Sequence, residues 1–550
     1  MDRRVLWAIL LMMAIAIAPT FFLKKPVPRP PATEPAPPAA IGPAPEQNQA
    51  ALPRVAPDSS KVGDTVEVIS PLYRYEFSTR GAHLVQATIQ GYPSLAPADR
   101  RTPARLIPAG DAWYTYSLVV GNDTLSLDDW SFTPSTETLR VNEPGRLTLT
   151  ATRGDVKVDL TYGFRPDDYR VHVTGQVSGI GPNGATLVVG LGNGLAHTEA
   201  DSAGNQYEFG IVTKTDESQL KRFASLKQGE ATVLSGPFEW VAVKSKYFVA
   251  AVLAIDSASS AISGVTAVPV AGPSKPLHAS IRLGLPVQAA GNFAFSTYVG
   301  PMEYQRLRAI GHDFYDTNPY GWPGFRTIIR PVAVVARWLL VWMHQHLHIA
   351  YGMVLVLFGI MIRIVLWPLN QKGMRASIKM QALQPEMKAL QDQYKDDPQA
   401  MQAEVFKLYK KHNVNPFSGC WPMLLPWPIL LALFFVFQNT IELRGQSFLW
   451  LPDLSLKDPL FVLPVLMGLS LFAVSKVGMI GVPPNPQMKT MLYVMPVMMT
   501  VLFLNFASGL NLYYFVQNIV SVPQQWMLAK ERLRNQPPPA PPPEVKSKKK

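Results

Sequence analysis

A chain of 550 residues is long enough for roughly three to four domains at ~150 residues each. Its single cysteine, Cys420, excludes a disulfide framework or a thiolate zinc cluster as an organising device. Only 16% of residues are charged, against about 25% in a typical soluble domain, while the 51 prolines are about twice the usual share and the net charge is +12. That charge points to an anionic partner, nucleic acid or membrane surface, unless its distribution along the chain has another cause.

Val5 to Leu23 is an apolar run behind Arg3 and Arg4 that fits a signal peptide or a membrane span. Ala16-Ile17-Ala18 has the form of a cleavage site, but the run continues through Phe21, Phe22 and Leu23, which favours an uncleaved anchor over 1–23. Residues 24–60 form a linker: eleven prolines among alanines in 24–57 leave too little apolar surface to offset the entropy of ordering. From 61 to 300 short runs alternate, as in Tyr114-Thr115-Tyr116-Ser117-Leu118, Leu147 to Thr150, Val156 to Leu160 and Tyr169 to Val173. Period two means half-buried strands, and Gly121-Asn122-Asp123 and Arg153-Gly154-Asp155 are turn signals between them. The expectation is one large antiparallel β-sandwich. Gly190-Leu191-Gly192-Asn193-Gly194 lacks the sixth-position glycine of a dinucleotide fingerprint, since Leu195 stands there, and reads as a tight loop.

Residues 301–348 connect this region to the apolar second half of the chain and carry an amphipathic helix. Phe325, Ile328, Ile329, Val332, Ala336, Leu339, Leu340 and Met343 recur at helical spacing, with Arg326, Arg330 and Arg337 off that stripe, as in a basic helix lying in a membrane interface. His344, His346 and His348 lack the carboxylate or cysteine neighbours of a metal site. Between 349 and 528 apolar runs at about 349–367, 421–438, 459–480, 490–507 and 509–528 read as spans, six with the anchor. Residues 370–419 carry eight Lys/Arg and the basic tail 529–550 adds more, which places both in the cytoplasm, both termini inside and the β-region outside. Residues 1–4, 370–419 and 530–550 contribute +1, +3 and +5, nine of the twelve net charges. The basic excess is therefore mainly a topology signal, and no metal, cofactor or nucleotide motif stands beside it.

Met380, Leu383, Met387, Leu390 and Tyr394, then Met401, Val405 and Leu408 beyond Asp396-Asp397-Pro398, give two heptad arms, a cytoplasmic helical hairpin over 370–416. Asp397 is placed to cap the second arm with Pro398 at its first position. Arg363 is the lone charge inside an apolar run; at ~7 Å from Pro368 it either faces a polar interior or snorkels to headgroups. Asn505, Asn511, Gln517, Asn518 and Ser521 add polar groups to the last two spans, with Tyr514, Asn518 and Ser521 on one helix face, and together they suggest a hydrated cavity. Met491, Met495, Met498 and Met499, with Leu430, Leu433, Phe434 and Phe437, form either an adaptable apolar surface or ordinary bundle packing. The tail Lys546-Ser547-Lys548-Lys549-Lys550 suits RNA phosphate or anionic lipid equally.

Several motifs together resemble the YidC family of bacterial membrane protein insertases, in the version with a large periplasmic domain. They are Arg363 followed by Trp367-Pro368-Leu369, Val414-Asn415-Pro416, Gly419-Cys420-Trp421-Pro422, Ser508-Gly509-Leu510, Leu512-Tyr513-Tyr514, Trp240, Lys246-Tyr247-Phe248 and Tyr298-Val299-Gly300-Pro301. The resemblance implies insertion and folding of nascent inner-membrane proteins, alone or beside the Sec translocon, without cofactor or covalent chemistry. It implies a water-filled groove around Arg363, lined here by Asn505, Tyr514, Asn518 and Ser521, and a greasy slide on the third and fifth spans. It implies ribosome docking by hairpin and tail and a monomeric functional unit, and it likens the periplasmic sandwich to sugar-binding folds. At Leu425-Pro426-Trp427-Pro428 the chain departs from relatives that carry a groove glutamine. Two other classes stay open on the residues alone. A solute transporter would show internal repeats and flux through vesicles; a tethered carbohydrate enzyme would need a carboxylate pair and residues 61–299 for activity.

Overall fold

The computed structural model describes residues 64–534 except 181–184, 257–258, 273–274, 289, 319, 322–324, 395–396, 413–425 and 483–485. The expected anchor, linker and most of the tail, and the motifs between 414 and 422, lie outside the described residues.

The first half is β-rich. Period two is explicit in Val156–Phe164, where Val158, Leu160, Tyr162 and Phe164 are buried while Lys157, Asp159 and Thr161 point away. This strand pairs antiparallel with Gly145–Arg153 across the Gly154 turn, whose φ of +63° suits glycine. The strands form three sheets rather than the two of a simple sandwich: nine strands, six strands and five strands among the described residues. One pairing, Thr65–Ile69 with Thr138–Arg140, is parallel. Alternation also misses two strands of the nine-stranded sheet, Trp240–Lys244 and Phe248–Leu253, which are buried at every position, because a strand covered on both faces carries no alternation. Tyrosines tie the sheets together: Tyr116 and Tyr162 share a hydroxyl hydrogen bond of 2.9 Å, and Tyr75 donates to the Val299 carbonyl at 2.6 Å. The glycine-rich segment is the expected tight loop. Gly192 has φ +65°, and a Cβ there would run into the Trp113 ring.

Two short helices, α1 (Ser202–Tyr207) and α2 (Tyr304–Ile310), belong to the β-rich half. The helical half follows as α3 (Arg326–Leu347), α4 (Tyr351–Ala382), α5 (Gln384–Gln393), α6 (Pro398–Lys411), α7 (Pro426–Asn439), α8 (Val462–Gly478), α9 (Pro486–Phe503) and α10 (Ser508–Arg534). Among the described residues two helical stretches, Arg326–Leu347 and Tyr351–Gln371, are both long and apolar enough to cross a membrane. The other apolar helices are shorter. The 14 residues of α7 reach about 21 Å at 1.5 Å per residue, less than a ~30 Å hydrocarbon core. The first heptad arm is broken at Leu383, between α4 and α5, because Pro385 at the start of α5 cannot continue the preceding helix. Asp397 caps α6 as its sequence suggests, accepting from the amides of Gln399 and Ala400 at 3.1 and 3.0 Å.

Leu355, Phe358, Leu433, Phe437, Leu510 and Tyr513 are buried in the centre of the helical half. Outward lie Ile364, Val365, Leu469, Tyr493, Val497, Val501 and Trp526, an apolar surface far too extensive for water and suited to lipid.

Charge pairs join the two halves. Arg444, in the 441–458 loop, donates to both Glu199 carboxylate oxygens at 2.8 and 3.0 Å, to Pro93 O at 2.8 Å and to Thr198 O at 3.0 Å. Burial pushes the Glu199 carboxyl up, against the opposing pull of Arg444. The arginines of α3 serve the same junction. Arg326 and Arg330 meet Asp316 at 2.8 and 3.2 Å, and buried Arg337 binds Glu442 at 2.9 Å and the Tyr320 hydroxyl at 2.7 Å. With those arginines turned toward protein, the exposed face of α3 is Ile328, Pro331, Val335, Trp338 and Trp342.

Candidate functional site

α4 and α10 both begin against the 441–458 loop: Gly352 packs on Phe448, and Ser508 donates its amide to Leu456 O at 2.7 Å. Running side by side, they bring two rows of residues together. Gly359, Arg363 and Trp367 follow one another at four-residue steps on α4, and Tyr513, Gln517 and Gln524 share a face of α10. Gly359 permits the approach, since a Cβ there would lie 3.2 Å from Val516. Gln517 donates to Gly359 O at 3.3 Å and to the Tyr513 hydroxyl at 2.8 Å. One helical step on, Arg363 Nη2 donates to Gln524 Oε1 at 2.7 Å, and Gln524 Nε2 donates to Trp367 O at 3.2 Å. Arg363 therefore reaches across to α10 and is half-buried. Among the described residues it has no carboxylate partner, and its Nε is buried without a hydrogen bond.

The residues read as a single polar lining divide between two faces. Asn518 donates to the Ser470 hydroxyl on α8 at 3.0 Å, and Ser521 turns back to Gln517 O at 2.5 Å. Tyr514 meets the edge of Phe503 at 5.4 Å, and Asn505 is exposed just beyond α9. The apolar set divides as well. Leu433 and Phe437 are fully buried, while Leu430, Phe434, Met495, Met498 and Met499 are half-buried and Met491 is exposed. Phe434, Phe503 and Phe506 form an aromatic contact with centroid separations of 5.3 and 4.9 Å at the end of the bundle nearest the β-rich half. Each imidazole of the His344, His346, His348 set lies within hydrogen-bonding distance of a backbone carbonyl, and no group of three or more potential metal ligands occurs among the described residues.

Sequence reasoning missed Gln524, the arginine's direct partner. The available signal was its seven-residue spacing from Gln517, which puts both amides on one face. The Glu199 to Arg444 pair had no signal at all, being 245 residues apart.

Residues 65–335 match the family model described as the YidC periplasmic domain, and residues 342–536 match the 60Kd inner membrane protein family. The membrane protein insertase YidC of Chlorobaculum tepidum is 30% identical over 532 residues, covering 89% of this chain and 86% of the relative. The chain belongs to the YidC family of membrane protein insertases. The YidC of Syntrophus aciditrophicus is 28% identical over 565 residues, covering 96% of this chain and all of the relative. A solved structure described as an active YidC insertase is 18% identical, with 85% of this chain and 93% of the other covered and a TM-score of 0.34. YidC membership makes this an inner-membrane protein and an insertase rather than an enzyme.

Proposed function

We propose that the chain inserts and folds nascent inner-membrane proteins through a hydrated groove around Arg363. The observation that carries this reading is a guanidinium inside the bundle whose bonded partner is a neutral amide. Placing an arginine at such depth costs about 2.5–3.5 kcal/mol on the insertion scale, a penalty that a functional role explains. An acidic or polar leading segment of a substrate that meets Arg363 in a wet groove keeps part of its solvation and gains a charge-assisted hydrogen bond. Its apolar stretch then leaves along α7 and α9, over Leu430, Leu433, Phe434, Phe437, Met491, Met495, Met498 and Met499, and partition into lipid drives the step. Leu433 and Phe437 would join that path only as α7 repacks around a substrate, so the half-buried and exposed members meet it first. Asn505, Tyr514, Asn518 and Ser521 belong to the groove in this reading.

The chain spans the membrane six times, with both termini and the α5 to α6 hairpin in the cytoplasm and the β-rich domain in the periplasm. The distribution of Lys and Arg supports this orientation. It works as a monomer, alone or with the Sec translocon, and its hairpin and basic tail meet the ribosome or anionic lipid. Arg363→Lys keeps Sec-independent insertion in reconstituted vesicles, and Arg363→Ala loses it for substrates with acidic leading segments. Equal insertion by Arg363→Ala and the natural chain refutes the role of the arginine.

A further inference from the structure

We propose that Gln524 is the positioning residue for Arg363, holding the guanidinium out from α4 while leaving its charge uncancelled. This rests on the reading that Arg363 receives acidic leading segments. Gln524 is 1% exposed and both ends of its amide are used: the oxygen accepts from Arg363 at 2.7 Å, and the nitrogen donates to Trp367 O at 3.2 Å. The two contacts lie one turn apart on α4, so a single side chain from α10 brackets that turn. The bracket stands where α4 is weakest. Pro368 has no amide hydrogen, so the carbonyl of Ile364 loses its helical partner and the turn between them is loosened.

The choice of residue type matters. A guanidinium offers five N–H donors in a planar fork. Gln524 engages Nη2 in the one hydrogen bond Arg363 makes among the described residues, so most of the fork's donors remain uncommitted for an incoming carboxylate. A glutamate in its place would accept the same hydrogen bond but would neutralise the arginine and could not donate to Trp367 O. A leucine would remove both bonds and free the long arginine side chain to sample other rotamers. Ordinary interhelical bonding would need neither a charged partner nor a neutral acceptor, so charge selectivity separates the two roles.

The test compares two Sec-independent substrates that differ only in an acidic or a neutral leading segment, inserted into proteoliposomes by the full chain. Gln524→Glu lowers the ratio of acidic to neutral insertion about tenfold, the scale of one hydrogen bond to a charged group. The exchange Arg363→Gln with Gln524→Arg returns the guanidinium from the opposite helix and recovers acidic preference lost in Arg363→Gln alone. An unchanged ratio in Gln524→Glu, or equal loss on both substrates, overturns the proposal, as does an exchange variant no better than Arg363→Gln. If Arg363→Ala itself leaves the ratio unchanged, the underlying reading of the groove fails instead.

Discussion

Replacing Arg444 by methionine should open the junction between the β-rich domain and the bundle. The substitution keeps an unbranched apolar stem but removes four donor contacts, two to Glu199 and one each to Pro93 and Thr198. The side chains of Arg444 and Glu199 are 2% and 4% exposed, so the carboxylate left behind keeps the Thr198 hydroxyl at 2.9 Å and the charge of nearby Lys246 but loses its paired guanidinium. Stranding one member of a buried pair costs about 3–5 kcal/mol. At 1.4 kcal/mol per tenfold, that raises the open population of the junction by about two to four orders of magnitude. Hydrogen exchange in detergent or nanodiscs should show the gain in the 441–458 loop and around 93–95 and 198–199, with the centre of the nine-stranded sheet unaffected. Because Glu199→Gln removes the stranded charge while its amide carbonyl can still accept from the Thr198 hydroxyl, Arg444→Met with Glu199→Gln should recover most of the protection. Exchange unchanged by Arg444→Met, or a double variant as open as the sum of the singles, refutes the assignment of this pair as the junction's main tie.

Two further outcomes rest on the same physics. Burial pushes Glu208 up, but Lys244 at 2.8 Å and Arg222 at 3.5 Å outweigh it and hold the carboxyl below its ordinary range. The folded pKa lies below the unfolded one, so the stabilisation is present above about pH 4.3 and is lost as the pH falls through that value and below. Natural chain and Glu208→Gln, compared by chemical denaturation from pH 7 down to about pH 2, should converge on the acid side below about pH 4.3; curves that stay parallel there count against the pair. Trp338 and Trp342, 52% and 40% exposed on α3 and stacked at 6.3 Å, should be quenched by lipids brominated near the headgroup. Replacing both by phenylalanine should remove that shallow quenching, and unchanged quenching would place the face elsewhere.

What the sequence discloses depends on whether one face or two are covered. Strands with a solvated side, such as Val156–Phe164, announce themselves by alternation, whereas Trp240–Lys244 and Phe248–Leu253 do not. Helical spacing locates the stripes of α3 but not their neighbours. Arg326, Arg330 and Arg337 look like a headgroup-facing set until Asp316 and Glu442 are seen opposite them. In the site, Arg363 is legible because a charge in an apolar run is costly wherever it points. Its partner is not, because a glutamine is commonplace in an amphipathic helix; only α4 lying against α10 singles out Gln524 over the neighbouring Gln525. Asn518 and Ser521 lie close to Gln517 in sequence, yet about 100° of rotation per residue is enough to turn Asn518 to α8.

The most direct test of the central claim places photocrosslinkers at Leu430, Phe434, Met491 and Met498, with Leu469 on the outward face of α8 as control, and challenges each with a ribosome-bound nascent membrane protein. Leu469 is 59% exposed, so access alone does not disfavour it. Adducts should form at the α7 and α9 positions as the apolar segment emerges, and weaken in Arg363→Ala for a substrate with an acidic leading segment. Adducts as strong at Leu469, or none on α7 and α9 while insertion proceeds, would contradict a path along these helices.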